Sequence, residues 1–374
     1  MEYVQERITT LHDLRGAPAL EGVEPRLEET AVVVPMTDRE HGGLAAERVL
    51  AELEAVEPGA VYVPVRAAPD RIAAFREWLE AFDLPLSVLW CNAPGVERLL
   101  SDAGLSNGFG KGRDVWLALG PAAAAGECIV VHDADARSYR GEHVSRLLAP
   151  LTMGFHFSKG YYARVEDGRL YGRLFRLFYE PLVRAVTAAH DAPIVDYLGA
   201  FRYALAGEFA LTAELARRLR PPRAWGLEVA TLGDAFDHAG ASGTAQVDLG
   251  RHEHDHRAVG GETGLEGMSR EVAAALLRVL EEHGVDLEYE TLPERYLVVG
   301  DRLVEQYRTD ARFNGLEYDA AAERTQLERY AASIRPPAGD DRLPRWTAAP
   351  FRPEDVVRAA QPWIGGRIGR NAGD

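Results

Sequence analysis

Two carboxylates, Asp133 and Asp135, stand with one alanine between them at the end of the run Cys128-Ile-Val-Val131. Short apolar runs rich in β-branched residues form strands covered on both faces, and open α/β sheets hold their ligands at strand carboxyl ends. Acids so placed suit a divalent cation that also grips a diphosphate. Mg2+ or Mn2+ takes one or two protein oxygens and fills its shell with water and phosphate oxygens. The same tripeptide also closes strands as a solvated turn, so the pair needs supporting residues before it implies chemistry.

Several segments offer that support. Ser106-Asn-Gly-Phe-Gly-Lys-Gly-Arg-Asp-Val-Trp116 sets glycines 108, 110 and 112 around Lys111 and leads into a helix with Val115, Trp116 and Leu119 on one face. Such a turn brings N–H groups and an ammonium to a phosphate or a base carbonyl; it lacks the ending of a Walker loop, and a plain surface loop has the same composition. One predicted helix separates it from the acid pair, which puts both on one sheet edge. Glu228 opens a helix whose apolar positions 227, 229 and 232 imply burial. A carboxylate there is costly unless paired, metal-linked or set on a polar ligand, and the helix N-terminus relieves part of the cost. His252, His254 and His256 alternate after a strand at Ala245 to Leu249: extended, they share one face and could bind a metal, whereas in a loop they are merely solvated. Arg173 follows Gly172 near a helix start, where a guanidinium and free N–H groups can share an anion. Arg176 and Arg184 read as solvated, and Lys159 as a rim residue of a strand from Met153 to Val165.

The elements that would position these groups alternate between strand and helix. Strands are expected at Thr30 to Pro35, Ala60 to Pro64 and Pro85 to Cys91, with helices at Gly43 to Ala55 and at Asp70 to Phe82, the latter capped by Asp70. Helix Val144 to Leu151, a strand at Phe201 to Leu205, a helix capped by Ser269 and helical patterns from 290 to 332 follow. The fold class is α/β, a mostly parallel Rossmann-like sheet flanked by helices. Residues 1–29 read as an arm with little strand character, 30–165 as the first α/β part, 166–285 as its continuation, and 286–374 as a helical extension with a Gly/Arg-rich tail. The glycine fingerprint of dinucleotide sites is missing after Pro35, which disfavours a nicotinamide or flavin cofactor.

Composition narrows the partners. A formal charge of -16 over 374 residues argues against nucleic acid, and only Lys111 and Lys159 are lysines. Acidic, lysine-poor composition fits a high-salt cytoplasm or a GC-rich genome alike. No long apolar run or signal-peptide pattern occurs, so a soluble cytoplasmic protein with no membrane partner is expected, and Cys91 and Cys128 read as buried thiols.

Taken in order, Gly110-Lys-Gly with Trp116, Asp133-Ala-Asp135, Gly172-Arg173, Gly207-Glu-Phe-Ala210, Trp225-Gly-Leu-Glu228, Gln246-Val-Asp-Leu, Glu253-His-Asp-His256 and Met268-Ser-Arg270 make the chain resemble the glucosyl-3-phosphoglycerate synthases, especially their archaeal branch. These are retaining glycosyltransferases of GT-A fold. The resemblance implies a transfer of glucose from an NDP-glucose, UDP-glucose first, to 3-phosphoglycerate, feeding the compatible solute glucosylglycerate, with Mg2+ or Mn2+ as cofactor and a homodimer as the assembly. It implies Pro35, Glu40, Lys111, Asp133, Ala134 and Gly207 on the donor, and Asp133, Asp135 and His254 on the metal. It also implies Glu228 on the transferred sugar, Arg173 on the acceptor phosphate and Met268-Ser269 as a segment near the acceptor. Mannose transfer from GDP-mannose and a silent sugar-nucleotide-binding protein are the competing readings. The chain departs from the family at Phe175, where a threonine is usual, at Thr37-Asp-Arg39 in place of Leu-Asn-Glu, and at Val63-Pro-Val-Arg66, which lacks an expected serine.

Overall fold

A computed structural model describes residues 5–14, 22–255 and 262–364, so His256 and the tail beyond 364 lie outside the described residues. Two compact units emerge. One holds residues 22–158, 207–224 and 341–364; the other holds 5–14, 159–206, 225–255 and 262–340.

In the first unit the β-branched runs form strands where their pattern predicts. Cys128–Val131 pairs in parallel with Thr30–Val33, which pairs with Ala60–Arg66, itself beside Leu86–Trp90. Phe209–Thr212 runs antiparallel along the other side of Cys128–Val131. Every residue of Thr30–Val33 and Cys128–Val131 is buried, as strands covered on both faces require. Helices Leu44–Val56, Ile72–Leu79, Pro94–Asp102, Lys111–Ala125 and Glu142–Thr152 flank them. Arg71, with no side-chain cap bond, precedes Ile72–Leu79, so Asp70 is not its cap.

Helix Lys111–Ala125 is buried from Gly112 to Ala123, on more than the one expected face. The cover comes from the end of the chain. Trp346 stacks on Trp116 with ring centroids 4.7 Å apart, and each indole N–H donates to a backbone carbonyl, Trp116 to Pro344 at 2.9 Å and Trp346 to Trp116 at 2.8 Å. Gly120 makes room for the ring, since a Cβ there would stand 2.3 Å from it. The stretch 286–374 is therefore not one extension. Its helices Leu292–Phe313 and Ala320–Ala331 belong to the second unit and residues 341–364 to the first.

In the second unit Thr244–Arg251 pairs in parallel with Thr9–Leu11, so part of the arm is a strand after all. The reason is polar: the buried Gln246 amide donates to Thr10 Oγ1 at 2.8 Å, a match the arm's composition does not reveal. Phe201 to Leu205 is a turn, held where the Arg202 N–H donates to Gln246 Oε1 at 2.9 Å. The strand expected from Met153 begins only at Phe157, because Met153 is exposed at a helix end. Ser269 lies inside helix Glu262–Glu282, not at its start. Among the described residues no helix is long and apolar enough to cross a membrane.

Candidate active site

In the first unit Asp133 and Asp135 follow the central strand Cys128–Val131 directly, at its carboxyl end. Lys111, first residue of helix Lys111–Ala125, reaches Asp133 Oδ1 with Nζ at 2.6 Å. The antiparallel register sets Phe209 opposite Val131, which brings Gly207 under the acid pair. A Cβ at Gly207 would stand 2.1 Å from Asp133 Oδ2, so only glycine leaves this carboxylate its place. Burial, then the Asp133 carboxylate, push Asp135 up to about 7; Lys111 opposes the shift, while Glu208 and Glu40 add to it. Four carboxylates against one ammonium leave a surplus of negative charge that a divalent cation would offset. Glu40 Oε2 accepts from the Thr37 N–H at 2.6 Å and from Thr37 Oγ1 at 2.8 Å, bracing the turn after Pro35. Ala134 is buried between the acids.

The second unit holds the remaining expected residues. His254 is buried beyond Thr244–Arg251; its N–H donates to Glu166 Oε1 at 3.2 Å, and its Nδ1 lies 4.0 Å from the same oxygen. At 4.0 Å Glu166 is beyond hydrogen-bond reach of the ring, so it holds His254 through the backbone N–H. The His252 and His254 rings are 4.5 Å apart, on one face as alternation predicts, but His252 is taken up by stacking on Tyr162 at 4.1 Å. Glu228 is half-buried in the first turn of helix Leu227–Ala239, after Gly226 at φ +94°.

Arg173 is half-exposed behind Gly172 and donates through Nε to Glu323 Oε1 at 3.1 Å. Arg176 is not solvated: it is buried, with Nη1 donating to Glu323 Oε2 at 2.7 Å, in a π-helical turn Phe175–Tyr179. Arg184 is exposed as expected. Lys159 is buried, not on a rim, and donates to the Ala206 carbonyl at 2.5 Å. Ser269 is buried with its hydroxyl bonded to Glu266 O and Ser333 Oγ, while Met268 is half-buried.

The chain is similar to known proteins over most of its length. The chain is 32% identical over 387 aligned positions to a glucosyl-3-phosphoglycerate synthase of Methanococcoides burtonii, covering 93% of this chain and 94% of that one. The chain belongs to the glucosyl-3-phosphoglycerate synthase family. A synthase of Persephonella marina is 32% identical over 96% of the chain and 95% of its own length. In fold, the chain matches the Mycobacterium tuberculosis glucosyl-3-phosphoglycerate synthase in complex with Mn2+, UDP-glucose and phosphoglyceric acid, with a TM-score of 0.57 at 24% identity over 76% of this chain and 90% of that one. No family model matches.

As a member of this family the chain is a glycosyltransferase of GT-A fold, with a mostly parallel sheet flanked by helices. Its charged framework includes three buried carboxylates that sequence reasoning did not single out, Glu166, Glu208 and Glu323. Glu208 sat within the quoted Gly207-Glu-Phe-Ala210, so a signal existed. Glu166 and Glu323 have none, because their partners lie 88 and 147 residues away in sequence.

Proposed function

We propose that this protein transfers glucose from UDP-glucose to 3-phosphoglycerate with retention of configuration, giving glucosyl-3-phosphoglycerate. The observation that carries the reading is the acid pair after Cys128–Val131, with Lys111 held on Asp133 and Gly207 leaving room beneath, in a chain alike over its length to synthases of that name. The phosphoglycerate and Mn2+ bound by the mycobacterial relative support it.

We further assign Asp133, Asp135 and His254 as the metal ligands, a set of oxygens and one nitrogen that fits Mg2+ or Mn2+. The bound cation would neutralise the diphosphate and the charge that gathers on the departing UDP. Lys111 adds an ammonium on the same edge. Pro35 and Ala134 wall the donor, and Glu40 keeps the turn after Pro35 in shape. Glu228 holds the glucose and favours positive charge at its reacting carbon. Arg173 takes the acceptor phosphate through nitrogens that Glu323 leaves open, with Met268 on a neighbouring helix. Ser269 keeps its hydroxyl on Ser333 and acts only through packing. Phe175, buried where a threonine is usual, has no hydroxyl for the acceptor.

The acidic composition fits a cytoplasmic enzyme of a compatible-solute route, and the exposed Val298 and Phe313 of helix Leu292–Phe313 offer apolar area for a homodimer. The test is UDP release by the purified protein with Mg2+, UDP-glucose and 3-phosphoglycerate. Release that needs all three, with a glucosylated phosphoglycerate by mass, supports the reading. Release independent of the acceptor, or turnover with GDP-mannose alone, overturns it.

A further inference from the structure

Arg66 ends the strand Ala60–Arg66, two strands from Cys128–Val131 and at the same carboxyl edge as Asp133. Its Nε lies 3.2 Å from Oδ2 of the buried Asp114, and its guanidinium carbon lies 5.3 Å from the ring centre of Phe109, which is 63% exposed. Carboxylate and ring hold the fork by one side and one face. Its two terminal nitrogens make no hydrogen bond among the described residues, and the side chain is 26% exposed.

The helix that carries Asp114 also carries Lys111. Lys111 holds Asp133, and Asp114, three residues on, holds Arg66. Side chains three apart on a helix have Cβ atoms about 5–6 Å apart. One helical turn therefore carries both anchors, that of Lys111 on Asp133 at the acid pair and that of Asp114 on Arg66. The short strand Met36–Thr37 continues the same wall, pairing in parallel with Val65–Arg66.

We propose that Arg66 reads the donor's base and selects those presenting a carbonyl, uracil and guanine, over those presenting an amino group there, adenine and cytosine. This rests on the donor site proposed above. A guanidinium only donates. Uracil O4, or guanine O6 with N7, accepts from it, whereas the exocyclic amines of adenine and cytosine set donor against donor.

The test is calorimetric binding of UDP, GDP, ADP and CDP to the full chain with Mg2+, repeated on Arg66→Gln and Arg66→Lys. A hydrogen bond from a charged donor, lost where donor faces donor, gives roughly ten- to hundred-fold discrimination, so UDP and GDP are expected to bind at least about ten-fold tighter than ADP and CDP. Arg66→Gln, which can donate or accept, should shrink the ratio to about three-fold or less. Arg66→Lys keeps a cation beside Asp114 but loses the fork, and should cut the ratio several-fold. Equal binding of ADP and UDP by the wild type, or an unchanged ratio in the variants, overturns the proposal. Selective nucleotide binding without glucose transfer would overturn the proposed reaction and leave this inference standing, whereas transfer at equal rates from all four NDP-glucoses would do the reverse. Binding of none of the four overturns both.

Discussion

A Cβ on Gly207 would stand 2.1 Å from Oδ2 of Asp133 and 2.8 Å from its Oδ1. Gly207 is not in the left-handed backbone region, so alanine there is not strained by its φ and the collision with the carboxylate is the whole effect. In Gly207→Ala, Asp133 must swing away and release Lys111. UDP binding with Mg2+ should weaken by at least about ten-fold, roughly one charge-assisted hydrogen bond, while the melting temperature stays within about 4 °C. Unaltered UDP affinity in a folded variant would separate Asp133 from the donor site.

The strands were legible because covered strands write themselves as β-branched runs, as Thr30–Val33 and Cys128–Val131 do. The acid pair and Lys111 were legible for the same reason, each being fixed to an element end that local pattern locates. What escaped depends on partners far along the chain. Thr9–Leu11 becomes a strand because Gln246 meets Thr10, and Arg176 is buried because Glu323 lies opposite it. Helix Lys111–Ala125 loses its solvent face to Trp346, a residue 230 positions away from Trp116. Periodicity within a window carries none of this, since it records which face is apolar and not what will cover the other.

With Asp135 as a proposed ligand, cation binding is expected to depend on pH. Its carboxyl is pushed up to about 7 in the fold, from about 3.8 in the unfolded chain. Between these values the folded chain holds a proton that the unfolded chain has lost, so cation-free stability falls as pH rises from about 4 to about 7 and is level above that. A cation needs the ionised form, so its binding releases a proton below about pH 7. Mg2+ should therefore bind roughly ten-fold more weakly at pH 6 than at pH 8, with proton uptake by the buffer visible in calorimetry. The cation-free melting temperature should drop between pH 5 and pH 7.5 in the wild type and less so in Asp135→Asn, about in proportion to the lost titration. Parallel melting curves for the two proteins would show that Asp135 does not titrate in this window.

Glu323 divides two arginines into different roles. Arg176 is enclosed, and its remaining donors go to Tyr171 O at 3.0 Å and Leu170 O at 3.3 Å, so the whole side chain is spent on structure. Arg173 is 51% exposed and touches Glu323 through Nε, which leaves its outer nitrogens to a phosphate. Removing one partner of a buried pair strands the other charge, so Arg176→Ala should lower stability by about 3–5 kcal/mol in denaturant titration. Arg173→Ala should change stability by less than about 1 kcal/mol, because the pair it breaks is half in water. Its effect should appear instead as a KM for 3-phosphoglycerate raised roughly ten-fold or more, the worth of one charge-assisted contact, with UDP affinity unmoved. Donor and acceptor weakened alike would mean that Arg173 shapes the second unit and does not hold the phosphate.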